Sequence, residues 1–277
     1  MFNGRVNRWL VIAALIVGVF TAVIFWSELT DDVNESPVIT FEEETITISV
    51  EDDESVLLEG VSAEDQEDGD VTSSIVIESI SDFQEDGSRI VTYAAFDAGE
   101  NITKAQRSFY YSDYESPQIL LLTELSVNVG DYVYLQNCIE VQDVLDGNIT
   151  SQLQVTESDY SIYYAGEYSI TLQVTNSAGD TEEVTYSIHS SESSTDTSQT
   201  VIKLTDYSIY LSVGDDFDAD DYIASVTGFD ADGDEITESS VKITDPVDTG
   251  TAGQYTVTYE VSVYSGKDSA ELVVIVR

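Results

Sequence analysis

The stretch Gly166-Glu-Tyr168-Ser-Ile170-Thr-Leu172-Gln-Val174 alternates without a break. Tyr168, Ile170, Leu172 and Val174 fall on one face, and Glu167, Ser169, Thr171 and Gln173 on the other. A period of two is that of a strand half buried against a second sheet, where a helix would repeat near 3.6. The pattern returns as Gly253-Gln-Tyr255-Thr-Val257-Thr-Tyr259-Glu-Val261. It appears a third time, less cleanly, as Gly87-Ser-Arg89-Ile-Val91-Thr-Tyr93-Ala-Ala95.

Working outward from these strands, two further landmarks keep the same order in each copy. Upstream lies an acidic turn closed by Gly and, shortly after, a β-branched residue and Thr: Glu67-Asp-Gly69-Asp-Val-Thr72, Leu145-Asp-Gly147-Asn-Ile-Thr150, and Ala231-Asp-Gly233-Asp-Glu-Ile-Thr237, the last with one extra residue. Asp-Gly supplies the positive φ that a tight turn needs. Downstream lies a hairpin-like turn at Asp97-Ala-Gly99-Glu-Asn101, Ser177-Ala-Gly179-Asp180 and Ser265-Gly266-Lys-Asp268. Each copy opens with another strand (46–50, 125–129, 209–213) and closes with one (104–111, 183–188, 270–276). Short strands separated by turns at regular intervals predict an all-β chain of tandem sandwiches.

The copies occupy 36–112, 115–189 and 200–277, with a polar stalk at 27–35 and a Ser/Thr-rich linker at 190–199. The composition of that linker predicts a solvated, flexible join, so the third copy is expected to be the most loosely attached. Pro37-Val-Ile39 and Pro117-Gln-Ile119 open the first two copies. The turns read Asp65-Gln-Glu-Asp68-Gly-Asp-Val-Thr72 and Asp143-Val-Leu-Asp146-Gly-Asn-Ile-Thr150. With the G-x-Y-x-[VI]-x-Y strand, these motifs resemble the bacterial Ig-like modules of insecticidal crystal toxins and Gram-positive cell-surface proteins. The resemblance covers about 36–277; the third copy lacks the opening Pro, and the first has Arg89 where the others have Tyr168 and Tyr255. It implies three Ig-like β-sandwich modules serving as extracellular spacers or adhesive units, with no enzymatic activity and no named ligand.

The N-terminus is of another kind. Residues 9–26 carry no charge, begin and end with Trp9 and Trp26, follow Arg5 and Arg8, and precede Glu28, Asp31 and Asp32. Eighteen residues at about 1.5 Å each make roughly 27 Å of helix, close to a bilayer's hydrocarbon thickness. The basic flank predicts a cytoplasmic N-terminus at 1–8 and an extracellular remainder. The alternative is a cleaved signal peptide and a secreted chain, although the run is long and ends without a small-residue cleavage site.

The net charge is −45, and all 54 acidic residues follow the apolar segment. Such a chain repels phosphate backbones, which excludes nucleic acid as a partner. Cys138 stands alone and is expected to pack as a small hydrophobe. His189 is the only histidine and is read as opening the linker, which leaves no fixed imidazole for a Ser-His-Asp site, so no catalytic residue is assigned.

Two acidic groups are candidate weak Ca²⁺ ligands: Asp230, Asp232, Asp234 and Glu238, or Asp65, Glu67, Asp68 and Asp70. Hard cations take several oxygens. The other reading is a solvated loop whose Asp side chains cap their own turns. Tyr110, Tyr111, Tyr163 and Tyr164 are candidates for a binding face, with half-buried packing as the expected role. The functional expectation is a membrane-anchored surface stalk or adhesive array with an extracellular protein or glycan ligand. The alternative is a non-catalytic accessory subunit of an envelope complex.

Overall fold

The computed structural model describes residues 35–192, 202–230, 232–263 and 266–277. The apolar segment 9–26, the expected stalk up to residue 34 and residues 193–199 of the expected linker 190–199 lie outside these residues. Among the described residues no helix is long and apolar enough to cross a membrane. They are organised as strands joined by turns and short 3-10 helices.

The first repeat contains β1 (Val38–Phe41), β2 (Thr45–Ile48), β3 (Val61–Asp65), β4 (Gly69–Asp70), β5 (Val76–Ile80), β6 (Arg89–Phe96) and β7 (Ile102–Tyr111). The second contains β8 (Gln118–Leu121), β9 (Ser126–Asn128), β10 (Ile139–Asp143), β11 (Gly147–Asn148), β12 (Gln154–Ser158), β13 (Gly166–Thr175) and β14 (Thr181–Ser191). The third contains β15 (Ile202–Leu204), β16 (Ser208–Leu211), β17 (Ile223–Val226), β18 (Lys242–Thr244), β19 (Gly253–Val263) and β20 (Gly266–Val276).

One strand order recurs. The four-stranded sheets run β2-β7-β6-β5, β9-β14-β13-β12 and β16-β20-β19-β18. The smaller sheets run β1-β3-β4, β8-β10-β11 and β15-β17. In the second and third repeats an early strand pairs parallel with the last one, His189 opposite Ser126 and Val273 opposite Ser208. The residue inserted in the third acidic turn has a visible effect. Where the others form β4 and β11, the third makes an isolated bridge between Phe229 and Glu235. The turn glycines Gly69, Gly147 and Gly233 have φ of 76°, 71° and 85°, as Asp-Gly turns require.

The alternation in β13 places Ile170, Leu172 and Val174 in the core, with Tyr168 half buried at the end. Tyr93 and Tyr259 hold equivalent places in β6 and β19. Each is fully buried and donates its hydroxyl hydrogen to a carbonyl of a 3-10 turn, Leu57 at 2.5 Å and Ala219 at 2.8 Å. The hydroxyl is thus satisfied where burial would otherwise be unfavourable.

The described chain divides into two compact units. One holds the described residues up to Ile46 with Glu54–Ile80 and Ile90–Ser108; the other holds Thr47–Asp53, Ser81–Arg89 and Phe109–Arg277. In the first unit, Arg107 of β7 is 2% exposed. It donates to the carbonyls of Leu57 and Glu59 and to the Tyr93 hydroxyl, with the rings of Phe41 and Tyr93 5.5 and 5.6 Å away.

In the second unit the second and third repeats share a core, which corrects the expectation of a loose join. Val273 and Ile275 of β20 pack into the cluster built by Ile119, Leu121, Leu172 and Tyr186. Leu272, Val274 and Val276 face the third repeat's own core. Leu272 to Val276 are therefore all buried, the signature of a strand covered on both faces. Side chains of β16 complete the junction: Ser208 Oγ accepts from Leu121 N at 2.7 Å, and the Tyr210 hydroxyl accepts from Ile119 N at 2.9 Å. Ser190 and Ser191, expected in the linker, instead close β14, and Ser190 is buried. His189 also lies on β14, opposite Glu167 of β13, and so does not open the linker. Cys138 is half buried against the second repeat's core, as expected.

Candidate functional site

Among the described residues, four of the most exposed large hydrophobic side chains lie on two loops of the second repeat. One follows β9 and carries Tyr132 and Tyr134; the other joins β12 to β13 and carries Tyr163 and Tyr164. They are 65%, 61%, 76% and 71% exposed. The loops are tied to each other. Gly130 N donates to Ile162 O at 2.8 Å, and the Tyr160 hydroxyl donates to Asp131 O at 2.8 Å. Beneath them Tyr160 meets Tyr168 edge to face at 5.4 Å, and the Tyr168 hydroxyl donates to Tyr164 O.

The packing expected for Tyr163 and Tyr164 is therefore not found. Tyr110 and Tyr111 are half buried. Tyr111 meets Phe109 edge to face, while the Tyr110 hydroxyl reaches Asp86 at 3.2 Å, so the neighbours diverge as a strand demands. Tyr132 and Tyr134 were not singled out by sequence. The available signal is their alternation about Val133 just past Val129-Gly130-Asp131, where the third repeat continues Asp216-Phe217-Asp218.

The acidic turns are held by their own side chains. Asp65 Oδ1 accepts from Glu67 N and Asp68 N at 2.8 and 2.9 Å. Asp230 Oδ1 accepts from Asp232 N and Asp234 N, both at 2.9 Å. Asp70 Oδ1 accepts from Thr72 N, Asp68 Oδ2 accepts from Ala98 N, and Glu238 begins a 3-10 turn. These Asp side chains cap their own turns. Among the described residues, no group of three or more His, Cys, Asp or Glu is arranged to hold a metal ion.

Between the second and third repeats, inside the second unit, lies a cavity of about 40 Å³ lined by Glu124, Glu167, His189, Tyr207 and Glu271. That volume has room for about two or three water molecules. Burial, reinforced by the charges of Asp268 and Glu271, pushes Glu124 up to about 7.

The recurring sheet order and buried tyrosines define an all-β chain of Ig-like sandwich architecture. Residues 202–274 match the family described as "Bacterial surface protein, Ig-like domain". Comparison with curated proteins finds no match. Among solved structures the chain is similar to CBM51-2 in complex with GlcNAc and INT domains from Clostridium perfringens ZmpB. The identity is 18%, over 53% of this chain and 26% of that one, with a TM-score of 0.23. It is also similar to the M60 catalytic domain with CBM51-1 and CBM51-2 of the same protein, at 12% identity over 87% and 43%, TM-score 0.26. A third is the lipoprotein BT2262 from Bacteroides thetaiotaomicron, at 13% over 86% and 98%, TM-score 0.21. The chain spans less than half the length of the two Clostridium chains. Similarities of this strength carry no argument about ligand or activity.

Proposed function

We propose that the chain is a non-catalytic surface protein of three tandem Ig-like modules, at 36–112, 115–189 and 200–277, held to the cell membrane by residues 9–26. The modules form a stalk that presents a binding face to an extracellular protein or glycan. One observation carries this reading. The segment matching a bacterial surface Ig-like family has a strand order that recurs in the two repeats before it. The high negative charge supports solubility and mutual repulsion of the exposed faces.

The test is labelling of intact bacterial cells with a membrane-impermeant reagent, using the chain tagged at either end. A tag after Arg277 should react without lysis, and one before Met1 only after lysis. A C-terminal tag reached only after lysis would sink the reading. N-terminal sequencing of the mature chain separates a retained anchor from a cleaved signal.

A further inference from the structure

The four exposed tyrosines stand on a frame that the third repeat reproduces without them. In the second repeat Gly130 N donates to Ile162 O, and the Tyr168 hydroxyl donates to Tyr164 O. In the third, Gly214 N donates to Thr249 O, and the Tyr255 hydroxyl donates to Thr251 O. These bonds align Tyr132, Tyr134, Tyr163 and Tyr164 with Asp216, Asp218, Gly250 and Thr251. The loop frame therefore forms without any aromatic side chain at these four positions. Folding does not explain the tyrosines, which leave four rings mostly in water.

We propose that this loop pair is the docking surface for a basic protein segment, one that presents arginine and lysine side chains. Three properties converge on that occupant. Exposed aromatic rings on two loops tied together by hydrogen bonds suit an interaction site, and tyrosine and arginine are both enriched at binding hot spots. The ring faces attract guanidinium and ammonium groups. The same loops carry Asp131 and Asp159, with Glu157 and Glu167 on the strands beside them, in a chain of net charge −45. That field draws in a cationic segment and repels an anionic one. The hydrogen bonds between the loops hold the rings' backbone in place beforehand, which lowers the ordering cost of binding. This proposal rests on the reading of the chain as a surface binding protein and locates its binding face on the second module.

The test uses the full chain in detergent micelles at physiological salt, with deca-arginine, deca-lysine and a neutral chito-oligosaccharide as probes. The variant is Tyr132→Ser, Tyr134→Ser, Tyr163→Ser and Tyr164→Thr together, which leaves the charge unchanged. Deca-arginine should bind the parent chain more tightly than deca-lysine, and the variant should lose about tenfold or more in affinity for it. Circular dichroism and the melting midpoint should stay at parent values. If the fourfold variant does not fold, Tyr132→Ser and Tyr163→Ser singly should each lose about threefold. Equal binding of deca-arginine by parent and variant would show attraction by bulk charge and overturn the proposal. So would oligosaccharide binding that depends on the four tyrosines while arginine binding does not. Surface labelling of intact cells is indifferent to these substitutions, so a failure here is distinguishable from a failure of the surface reading.

Discussion

The Arg277 guanidinium lies 4.6 Å over the ring of Tyr210 and donates to the carbonyls of Ser116 and Pro117 at 3.0 and 3.3 Å. The residue after the last strand is thereby fixed to the start of the second repeat, 161 positions earlier. Tyr210 adds its own link by accepting from Ile119 N. Tyr210→Phe leaves that N–H without its partner, and Arg277→Ala removes two hydrogen bonds, the ring contact and the ion pair with Glu182 at 4.0 Å. Each should lower stability by about 1–3 kcal/mol in chemical denaturation. Because the two side chains touch, the double variant should lose less than the sum of the singles.

Arg107 should be among the least replaceable residues of the first unit. Its guanidinium serves two carbonyls and a hydroxyl from a buried position between aromatic rings. Arg107→Ala should cost about 3–5 kcal/mol, from the cavity and the abandoned acceptors. Arg107→Lys should recover little of this, because a single ammonium lacks the planar fork that spans these acceptors. Thermal melts of the three chains would decide.

Glu124 makes stability depend on pH in a definite direction. Its ordinary value is 4.5, and the folded environment pushes it up to about 7 through burial and the neighbouring Asp268 and Glu271. The folded state holds the proton where the unfolded chain has released it. The stabilisation from this group is therefore fully present below the window and is lost as pH rises from 4.5 to 7, by on the order of 3 kcal/mol. Glu124→Gln should flatten that part of the profile. Denaturation midpoints across the window would refute the assignment if the slope survived the substitution.

The second repeat holds a buried polar pair that the first repeat lacks. Asn176 Nδ2 donates to Asp143 Oδ2 at 3.0 Å. At the equivalent place the first repeat has Asp97, and Asp65 Oδ2 is buried without a hydrogen-bond partner. Asn176→Asp should therefore destabilise the second unit by about 1–3 kcal/mol, by removing the donor and facing Asp143 with a second carboxylate. The loss should shrink at low pH, where a proton restores a donor.

Melting curves in millimolar Ca²⁺ and in EDTA should superimpose. Asp65 and Asp230 already accept backbone hydrogens from their own turns. A rise in midpoint with Ca²⁺ would show that a cation displaces those bonds.

Much of the fold was legible because strand signals are local. The alternation from Tyr168 to Val174 fixes which side chains enter the core, and the Asp-Gly turns fix where the chain reverses. The extra residue in the third acidic turn coincides with the isolated bridge between Phe229 and Glu235. The tyrosine-bearing loop pair was only half legible. Tyr163 and Tyr164 stood out by composition, but a strand-like sequence gives no measure of exposure, and Tyr132 and Tyr134 acquire meaning only beside them.

The all-β class, the recurring motifs, the acidity and the apolar N-terminal run can all be read along the chain, because each follows from periodicity or composition. The core shared by the second and third repeats emerges only from packing in three dimensions. Leu272 to Val276 reads as one apolar run, and nothing local says what covers its second face. Ile119 and Tyr210, 91 residues apart, meet because sheets buried on both sides recruit partners distant in sequence. The tyrosine loops follow the same logic: the bond from Gly130 to Ile162 joins segments that the sequence keeps apart, and that join brings the two tyrosine-bearing loops side by side.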